Sequence, residues 1–458
     1  MPDREVQIKK IKKTSHIRAV GNARQTALEV LHQLFQHPED GTPLPVMLLR
    51  ASQSAGLETR DAALLSELTY GVLRRSSILD ALLASFLKKP GALSAQVSMM
   101  LRLGLYELLF MDGIPARATV SEYAGMARRR FGQGVGGLVN GVLRSADREG
   151  EALREKVAQA RAEESASIPA WLMAMWKAQY GEEMARAFAL GTLAHAAPCW
   201  RVNMSRPGVA ALREEWLARG YAPAGEDGFT SFGLERGREA ALSEQVALEQ
   251  LEEQGALSRQ GISSQLVAEH IARLIRGSEA HAQSELWDAC CGRGGKSTAL
   301  LEKGVRVTQA SDPAQFRLDE LLASVRRLGL PEPRVVCAPE QDVHTAYPLI
   351  LLDVPCSGTG TLGRVPELRI RLTPDKLNEA ERLQAEILED AWECLLPGGM
   401  LFYVTCALNR KENEGRIARF LAVHGSEHGG DASLAEQRLF LPSLPGHDAL
   451  FLAVLHKS

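Results

Sequence analysis

The sequence lacks the features of secreted, membrane-spanning and fibrous proteins. Seven cysteines in 458 residues are too few and too irregularly spaced for a disulfide framework, so we expect reduced thiols. No run approaches the roughly 18 consecutive apolar residues of a membrane helix, and the start, MPDREVQIKKIKK, lacks a signal peptide's apolar core. Aromatic residues are scarce at 5%, but 45% hydrophobic residues are ordinary for a globular protein. We therefore expect a cytoplasmic protein of roughly three domains, with no membrane partner.

The chain also lacks a large excess of charge of either sign. Its formal net charge of −3 by itself disfavours a nucleic-acid partner, but residues 1–150 carry +6 and the remainder carries −9. Seven of the first 24 residues are basic. A polyanion is therefore expected to approach the front of the chain. A solvated basic tail stays the alternative explanation.

Residues 1–150 show the apolar spacing of helices. One predicted helical face has the i, i+3, i+4, i+7 pattern, formed by Ala27, Val30, Leu31 and Leu34. The segment Met99–Met111 is apolar nearly all round, which is typical of the centre of a helical bundle. Prolines separate these segments. The pattern predicts an all-helical domain over 1–150, followed by a connecting helix over 151–166.

From about residue 284 the pattern changes to alternating strands and helices. Six runs are predicted strands: Leu286–Cys290, Arg306–Ala310, Arg334–Cys337, Leu349–Asp353, Met400–Thr405 and Ala449–Leu455. Strands alternating with helices predict a parallel sheet covered on both faces, whose ligands bind beyond the carboxyl ends of the strands. We therefore expect an α/β domain over 256–458, preceded by a linker helix and a small mixed region over 151–255.

The first predicted strand ends in a glycine-rich turn, DACCGRGGKS, that leads from Asp288 into a helix. Its glycines let the backbone approach a ligand closely at a helix N-terminus, but the spacing matches neither G-x-G-x-x-G nor a P-loop. Asp312 follows the second strand, where an acid commonly accepts hydrogen bonds from ribose hydroxyls. These features indicate an adenosine-containing cofactor without a pyrophosphate, and S-adenosylmethionine fits. A plain glycine turn with a helix-capping Asp stays the alternative.

Two cysteines follow the ends of two further predicted strands. Cys356 lies in LILLDVPCSGTG and Cys406 lies in MLFYVTCALN. A lone cysteine at a strand end is usually a small core residue, but two at the same sheet edge favour chemistry. No C-x-x-C pair or histidine cluster accompanies them, so we expect no metal. A Cys–His protease lacks an evident histidine partner.

These segments together resemble the NOL1/NOP2/Sun family of RNA 5-methylcytosine methyltransferases. The resemblance rests on DACCGRGGKS, LLDVPCSGTG, GRVPELRIRL, LLPGG and YVTCALNRKENE. Residues 101–127 and 136–144 are similar to the NusB-like RNA-binding domain found at the front of the bacterial small-subunit ribosomal RNA enzymes of this family. The resemblance covers the chain from about residue 22 onwards. It implies a Rossmann-like S-adenosylmethionine methyltransferase domain, a NusB-like N-terminal domain and a small RNA-binding middle domain.

The resemblance also implies roles for individual residues. Cys406 is the nucleophile that adds to carbon 6 of the cytosine, and Cys356 assists loss of the carbon 5 proton. From its place at the end of a buried strand, we expect a protonated Asp353 to donate to the ring nitrogen, and Lys296 to fix that carboxyl group or to lower a thiol pKa electrostatically. The expected cofactor site comprises Asp288, Cys290, Cys291, Gly292, Arg293, Gly294, Gly295, Lys296, Asp312, Arg317 and Asp353. The expected RNA contacts are Arg201, Asn203, Arg364 and the run Arg128, Arg129 and Arg130.

The sequence departs from the family pattern around the cofactor. Arg293 stands where the family commonly has a proline, and only Glu340 or Asp342 can replace the acid usually found near the adenine. We expect a monomeric enzyme that methylates carbon 5 of a cytosine in 16S (small-subunit) ribosomal RNA. Two alternatives stay open: an RNA-binding ribosome-assembly factor with a weakened or inactive methyltransferase domain, and a tRNA cytosine-5 methyltransferase.

Overall fold

The computed structural model describes residues 22–209, 211–231, 234, 238–337, 346–441 and 446–458. These residues fall into two compact units. The first comprises the described residues up to Val72 together with Leu82–Leu153, and the second comprises Leu73–Ala81 and the described residues from Arg154 onwards. Glu340, Asp342 and the basic residues before position 22 lie outside the described residues. Within the described part, no helix is long and apolar enough to cross a membrane.

The first unit is built from helices, as the apolar spacing predicts. They are α1 (Ala23–Gln36), α2 (Leu44–Ala55), α3 (Thr59–Ala84), α4 (Ala95–Phe110), α5 (Ala116–Phe131) and α6 (Gln133–Arg148). The predicted apolar face of α1 is buried. Helix α4 packs against α1, α5 and α6, which explains why it is apolar nearly all round.

A buried carboxylate joins three helices of this unit. Glu107 of α4 accepts hydrogen bonds from Arg24 of α1, with N···O distances of 2.9 and 2.7 Å. The hydroxyl of Thr119 on α5 donates to the same carboxylate at 2.5 Å, and Tyr123 donates at 3.3 Å. Arg24, one of the basic residues near the N-terminus, is therefore used to hold the helices together.

The connecting segment forms several short helices. They are α7 (Gly150–Gln159), α8 (Ala162–Ser165), α9 (Ala170–Tyr180) and α10 (Glu182–Gly191). Arg161 is extended, with ψ of 149°, so the chain bends between α7 and α8. The bend lets Ala162 and Ala166 pack in one cluster with Trp176 of α9. The predicted single helix over 151–166 is wrong because this packing requires a change of direction.

A small antiparallel sheet follows, made of β1 (Cys199–Val202), β2 (Ala222–Ala224), β3 (Gly228–Thr230) and β4 (Leu257–Arg259) in the order β2-β3-β1-β4. It is accompanied by α11 (Leu212–Ala218) and α12 (Arg238–Glu253). Its core is aromatic: the rings of Trp216 and Phe229 stack with centroids 5.6 Å apart, and Trp200 stacks on Phe229 at the same distance. This stacking gives a small sheet enough buried apolar area to be ordered.

A seven-stranded sheet forms the rest of the second unit. Its strands are β5 (Glu285–Asp288), β6 (Arg306–Ser311), β7 (Arg334–Val336), β8 (Tyr347–Asp353), β9 (Leu395–Thr405), β10 (Ala432–Phe440) and β11 (Leu450–Lys457). Its helices are α13 (Ile262–Gly277), α14 (Gly295–Glu302), α15 (Gln315–Leu328), α16 (Leu368–Arg371), α17 (Pro374–Glu393) and α18 (Glu414–His424).

The strand order is β10-β11-β9-β8-β5-β6-β7. Strands β5 to β9 are parallel as predicted, but β11 pairs antiparallel with β9 and β10 pairs antiparallel with β11. The expectation of a wholly parallel sheet is therefore wrong for the last two strands. Strand β10 escaped prediction because it lies at the sheet edge, with most of its residues at least partly exposed.

Helices cover both faces of this sheet. Leu349 and Leu351 of β8 pack in a core with residues of α13, α14 and α15, whereas Ile350 and Leu352 pack with α17 and α18. Successive side chains of a strand point to opposite faces, so a strand buried on both faces is a continuous apolar run. Each such side chain contributes about 1.5 to 3 kcal/mol by burial. This packing fixes the carboxyl end of β8, where the polar residues begin.

Arg201 and Asn203, two of the expected RNA contacts, are buried in the structure. Arg201 of β1 donates to both carboxylate oxygens of Glu302 on α14, at 2.7 and 2.9 Å, and also hydrogen-bonds Gln260. Asn203 donates to the carbonyl oxygens of Gly255 and Leu328. Both side chains are enclosed by protein, which argues against the predicted RNA contact. Their contacts favour a role in joining the small sheet to the α/β domain.

Replacing Arg201 with methionine is expected to lower the free energy of unfolding by about 3 to 5 kcal/mol, because it leaves the Glu302 carboxylate buried without its partner. Urea unfolding followed by tryptophan fluorescence measures the change. The matched control is the double variant that also carries Glu302→Met, which should recover most of the loss. An unchanged stability combined with weakened RNA binding would instead favour the original prediction.

Candidate active site

The two predicted cysteines meet at the carboxyl edge of the large sheet. In the parallel β8–β9 pair, Asp353 lies opposite Val404. Cys356 and Cys406 follow these positions in their loops, and their Sγ atoms are 2.9 Å apart. The backbone N–H of Cys406 also donates to Cys356 Sγ at 3.3 Å. Both thiols are partly accessible, so a substrate can reach the pair.

The two cysteine loops pack backbone against backbone. The N–H of Gly360 donates to the carbonyl oxygen of Cys406 at 2.9 Å, and the N–H of Leu408 donates to Thr359 Oγ1 at 2.8 Å. A Cβ atom at Gly360 would lie 2.7 Å from the Cys406 carbonyl oxygen. Only glycine therefore allows this approach, which explains why the SGTG segment has a glycine at position 360.

The pKa of Cys356 is raised well above its usual value. The hydrogen bond to Cys406 is the largest cause, followed by burial and by the nearby charges of Cys406 and Glu412. Cys356 therefore keeps its proton and can donate it toward Cys406 Sγ. The assignment of Cys406 as the nucleophile of the pair stays a prediction.

Lys296 and Asp353 form an ion pair beside the thiols. Lys296 lies in the first turn of α14, and its Nζ atom is 2.6 Å from Asp353 Oδ2. Burial alone would lower the pKa of Lys296, but the charge and hydrogen bond of Asp353 raise it overall. The ammonium group therefore stays charged in a buried position. The Asp353 side chain is 33% exposed, so it can also contact a bound substrate.

The glycine turn has the geometry of a ligand cradle. Gly292 and Gly294 have φ of +53° and +81°, in the region that favours glycine. A Cβ atom would meet open space at Gly292, whereas at Gly294 it would lie 2.1 Å from a side-chain carbon of Leu321. Gly294 therefore requires glycine for packing, and Gly292 leaves room next to the backbone for a ligand.

Two buried carboxyl groups flank this turn. Asp288 Oδ2 accepts a hydrogen bond from Ser297 at 2.5 Å, while its Oδ1 is buried and has no partner among the described residues. Asp312, at the end of β6, accepts from the N–H of Ala314 and from Arg317. An orphaned acceptor, an open glycine backbone and a second acid fit a cofactor with amino and ribose hydroxyl donors.

The remaining predicted cofactor residues have different surroundings. Burial raises the pKa of Cys290 and of Cys291, so these thiols are suited to packing and not to nucleophilic attack. Arg293 Nε is 3.0 Å from Glu320 on α15, and its side chain is mostly exposed. Within the described residues, no cluster of three or more His, Cys, Asp or Glu side chains could hold a metal ion.

Arg364 and the arginine run of α5 are the predicted RNA residues that are accessible. Arg364 binds Asp448 through two nitrogens, at 3.0 and 2.7 Å, and its side chain is 59% exposed. Arg128, Arg129 and Arg130 are exposed in the last turn of α5. These side chains are exposed enough to contact a phosphate backbone, and their role in RNA binding stays a prediction.

The sequence pattern did not single out a buried polar network under the cysteine loops. Its centre is Glu412, which is fully buried and accepts hydrogen bonds from the N–H of Ser357 and from the side-chain amides of Gln384 and Asn409. In the sequence Glu412 belongs to the polar run NRKENE, which resembles a solvated segment. Its place in the segment YVTCALNRKENE, which carries part of the family resemblance, and its closeness to Cys406 are the signals that could have drawn attention to it.

Asp288 predicts a pH dependence of stability. Burial raises the pKa of Asp288 to about 7, whereas in the unfolded chain it ionises near pH 4. The contribution of Asp288 to the free energy of unfolding is therefore fully present below pH 4. It falls by about 1.4 kcal/mol per pH unit as the pH rises from 4 to 7, because the unfolded chain releases the proton more readily. Between pH 5 and pH 8, Asp288→Asn should therefore gain roughly 2 to 3 kcal/mol relative to the unsubstituted chain. Urea unfolding at both pH values tests this, and a pH-independent difference would contradict it.

Known proteins are similar to this chain in both its helical and its α/β parts. The family model described as 16S rRNA methyltransferase RsmB/F matches residues 278–456, and the NusB family model matches residues 21–148. Ribosomal RNA small subunit methyltransferase B of Thermus thermophilus is 32% identical over 416 residues, covering 88% of this chain and 88% of that protein. The probable ribosomal RNA small subunit methyltransferase B of Bacillus subtilis is 29% identical, covering 95% and 99%.

Solved structures show the same fold. The crystal structure of PH0851 superimposes with a TM-score of 0.67 at 21% identity, covering 94% of this chain and 98% of that one. The structure of NSun6 from Pyrococcus horikoshii with SFG gives a TM-score of 0.51 at 18% identity, covering 63% and 98%. Because the match to the Thermus thermophilus relative covers 88% of this chain, it spans both the helical and the α/β parts. The chain belongs to the ribosomal RNA small subunit methyltransferase B family.

Proposed function

We propose that this chain methylates carbon 5 of a cytosine in small-subunit ribosomal RNA through a covalent adduct with Cys406. Membership of the family makes it an S-adenosylmethionine-dependent ribosomal RNA methyltransferase. The observation that supports the adduct chemistry is the contact between Cys356 and Cys406, with Sγ atoms 2.9 Å apart beside the Lys296–Asp353 ion pair. A single thiol could serve a structural purpose, but two inequivalent thiols beside an acid suit a reaction with two proton-coupled steps.

Carbon 5 of cytosine is a weak nucleophile until another group adds to carbon 6. A thiolate at Cys406 suits this addition because sulfur is nucleophilic near neutral pH and later leaves readily. As the S–C6 bond forms, the electron pair of the C5–C6 double bond shifts and makes carbon 5 electron-rich. When bound, S-adenosylmethionine supplies the methyl group that carbon 5 takes up. The residues proposed to hold it are the glycine turn, Asp288 and Asp312.

The pyrimidine needs compensation for the charge that the addition places on its ring. The ring nitrogen takes up a proton as the S–C6 bond forms. Asp353, at the end of β8, is proposed to transfer this proton from its carboxyl group, and the Lys296 ammonium group 2.6 Å away stabilises the carboxylate that results. Lys296 also places positive charge near Cys406, since Cys406 is among the charges that act on the ammonium group. Lys296 therefore lies close to both the proposed acid and the proposed nucleophile.

Release of the product requires loss of the carbon 5 proton. When that proton leaves, the C5–C6 double bond re-forms and the S–C6 bond breaks, which restores the Cys406 thiolate. The hydrogen bond to Cys406 is the main cause of the raised pKa of Cys356, so alkylation of Cys406 removes this cause. Cys356 then loses its own proton to solvent more readily and can accept the one at carbon 5, directly or through water.

The RNA is proposed to contact both units of the chain. Exposed Arg128, Arg129 and Arg130 offer phosphate contacts on the NusB-like domain, proposed to span residues 1–150. The middle region is proposed to span residues 151–255, and the methyltransferase domain is proposed to span residues 256–458. Arg364, near the thiol loops, is the candidate contact for a nucleotide at the site. We further propose that the chain acts as a monomer, without a metal and in the cytoplasm.

Variants of the two cysteines test the mechanism. Cys406→Ala should lower methylation of a small-subunit ribosomal RNA transcript by at least about a thousandfold, because the nucleophile is absent. Cys356→Ala should slow release by about a hundredfold or more and accumulate a protein–RNA adduct that survives denaturing electrophoresis. The double variant should form none.

Mapping of 5-methylcytosine in the transcript and in total tRNA accompanies these assays. Methylation only of tRNA would support the within-class alternative. An adduct formed by Cys406→Ala, or full activity of that variant, would contradict the assignment of the nucleophile.

A further inference from the structure

Glu412 lies beneath the two cysteine loops and contacts both of them. Its Oε2 accepts from the N–H of Ser357, the residue after Cys356, at 2.8 Å. Its Oε1 accepts from the side-chain amide of Asn409 at 2.5 Å. Asn409 belongs to the loop that begins with Cys406 and in turn accepts from the N–H of Glu412 at 3.0 Å. One carboxylate therefore joins the two segments that carry the thiols.

A third element fixes this carboxylate. Gln384 of α17 donates to Glu412 Oε2 at 2.8 Å and to the carbonyl oxygen of Pro355, on the other side of Cys356, at 3.0 Å. Gln384, Asn409 and Glu412 each have no exposed surface. Hydrogen bonds therefore hold the Cys356 loop on both sides of the cysteine, at Pro355 before it and at Ser357 after it.

The partners of Glu412 explain how a carboxylate is tolerated in this position. All three side-chain contacts are donated by uncharged groups, a backbone N–H and two amides, so dipoles and not a cation stabilise the group. Its negative charge is therefore not cancelled by an opposite charge in direct contact. Glu412 is one of the charges that act on Cys356, after the hydrogen bond to Cys406, burial and the charge of Cys406.

We propose that Glu412 is a positioning residue that locks the Cys356 loop against the Cys406 loop, and that release of the methylated cytosine depends on it. This inference rests on the proposed covalent mechanism, because it assigns Glu412 to the step that Cys356 performs. Glu412 does not touch the cytosine; it acts through the backbone of Ser357 and through Asn409. Loss of the lock should slow proton removal from carbon 5 more than the attack of Cys406.

Glu412→Gln is the sharpest substitution, because it keeps the volume but replaces one acceptor with a donor. Every partner of the carboxylate is a donor, so the variant must lose at least one hydrogen bond. We expect release to slow about tenfold, so that covalent adduct accumulates as it does in Cys356→Ala. The assay uses the full chain, S-adenosylmethionine and a small-subunit ribosomal RNA transcript, with single-turnover sampling of adduct and product.

The chain offers a rescue and a matched control. Adding Asn409→Asp to Glu412→Gln exchanges the carboxylate and the amide between positions 409 and 412. The amide at position 412 can then donate to the carboxylate at position 409, which still accepts from the N–H of residue 412. This double variant should return the adduct fraction toward that of the unsubstituted chain. Glu414→Gln removes a nearby carboxylate whose Oε2 has no hydrogen-bond partner in the described part of the chain, and it should leave the adduct fraction unchanged.

The outcomes distinguish failure of this inference from failure of the proposed covalent mechanism. If Cys356→Ala accumulates adduct but Glu412→Gln does not, and activity falls only with the folded fraction, Glu412 is structural and the inference is overturned. If neither variant accumulates adduct and Cys406→Ala stays active, the proposed function itself fails. Should Glu412→Gln not fold, Gln384→Met removes one donor to the same oxygen and the tether to Pro355. That variant must also accumulate adduct, and an unchanged adduct fraction overturns the inference.

Discussion

The parallel pairing of β8 with β9 determines where the chemistry takes place. Asp353 lies opposite Val404, so the chain leaves both strands at the same level and on the same edge. A shift of one residue would exchange the faces of the strand and separate the thiols. Strand β5 lies on the other side of β8. The order of strands therefore brings the glycine turn, the Lys296–Asp353 pair and the two thiols into one row along the sheet edge.

The candidate catalytic residues could be located from the sequence because a strand buried on both faces has a recognisable pattern. The run before Asp353 is wholly apolar, and the change to polar residues marks the strand end. Since carboxyl ends of parallel strands share an edge, the closeness of Cys356 and Cys406 followed from two local patterns. The resemblance to a known family supplied their roles. The structure adds the 2.9 Å contact and the inequivalence of the two thiols.

Buried charges could not be predicted in the same way. Arg201 pairs with Glu302, which is 101 positions away, and no periodicity connects two such residues before the fold brings them together. Arg24 and Glu412 likewise lie in polar segments that resemble solvated surface, yet each binds within the protein. The number of basic residues in 1–150 therefore overstates how many are available to RNA, because Arg24 is paired with Glu107. Arg128, Arg129 and Arg130 are exposed and contribute to the surface as the sequence suggests.

The two sides of the thiol pair carry opposite charge, and this polarity gives the site a sequence of events. The ammonium group of Lys296 interacts with Cys406, and the carboxylate of Glu412 acts on Cys356. In the proposed mechanism, Cys356 keeps its proton before the attack because the hydrogen bond with Cys406 raises its pKa. A bond between Cys406 and carbon would remove this hydrogen bond, which is the main reason for Cys356 to keep its proton. The contact between the thiols would thereby delay the proposed base until the adduct exists.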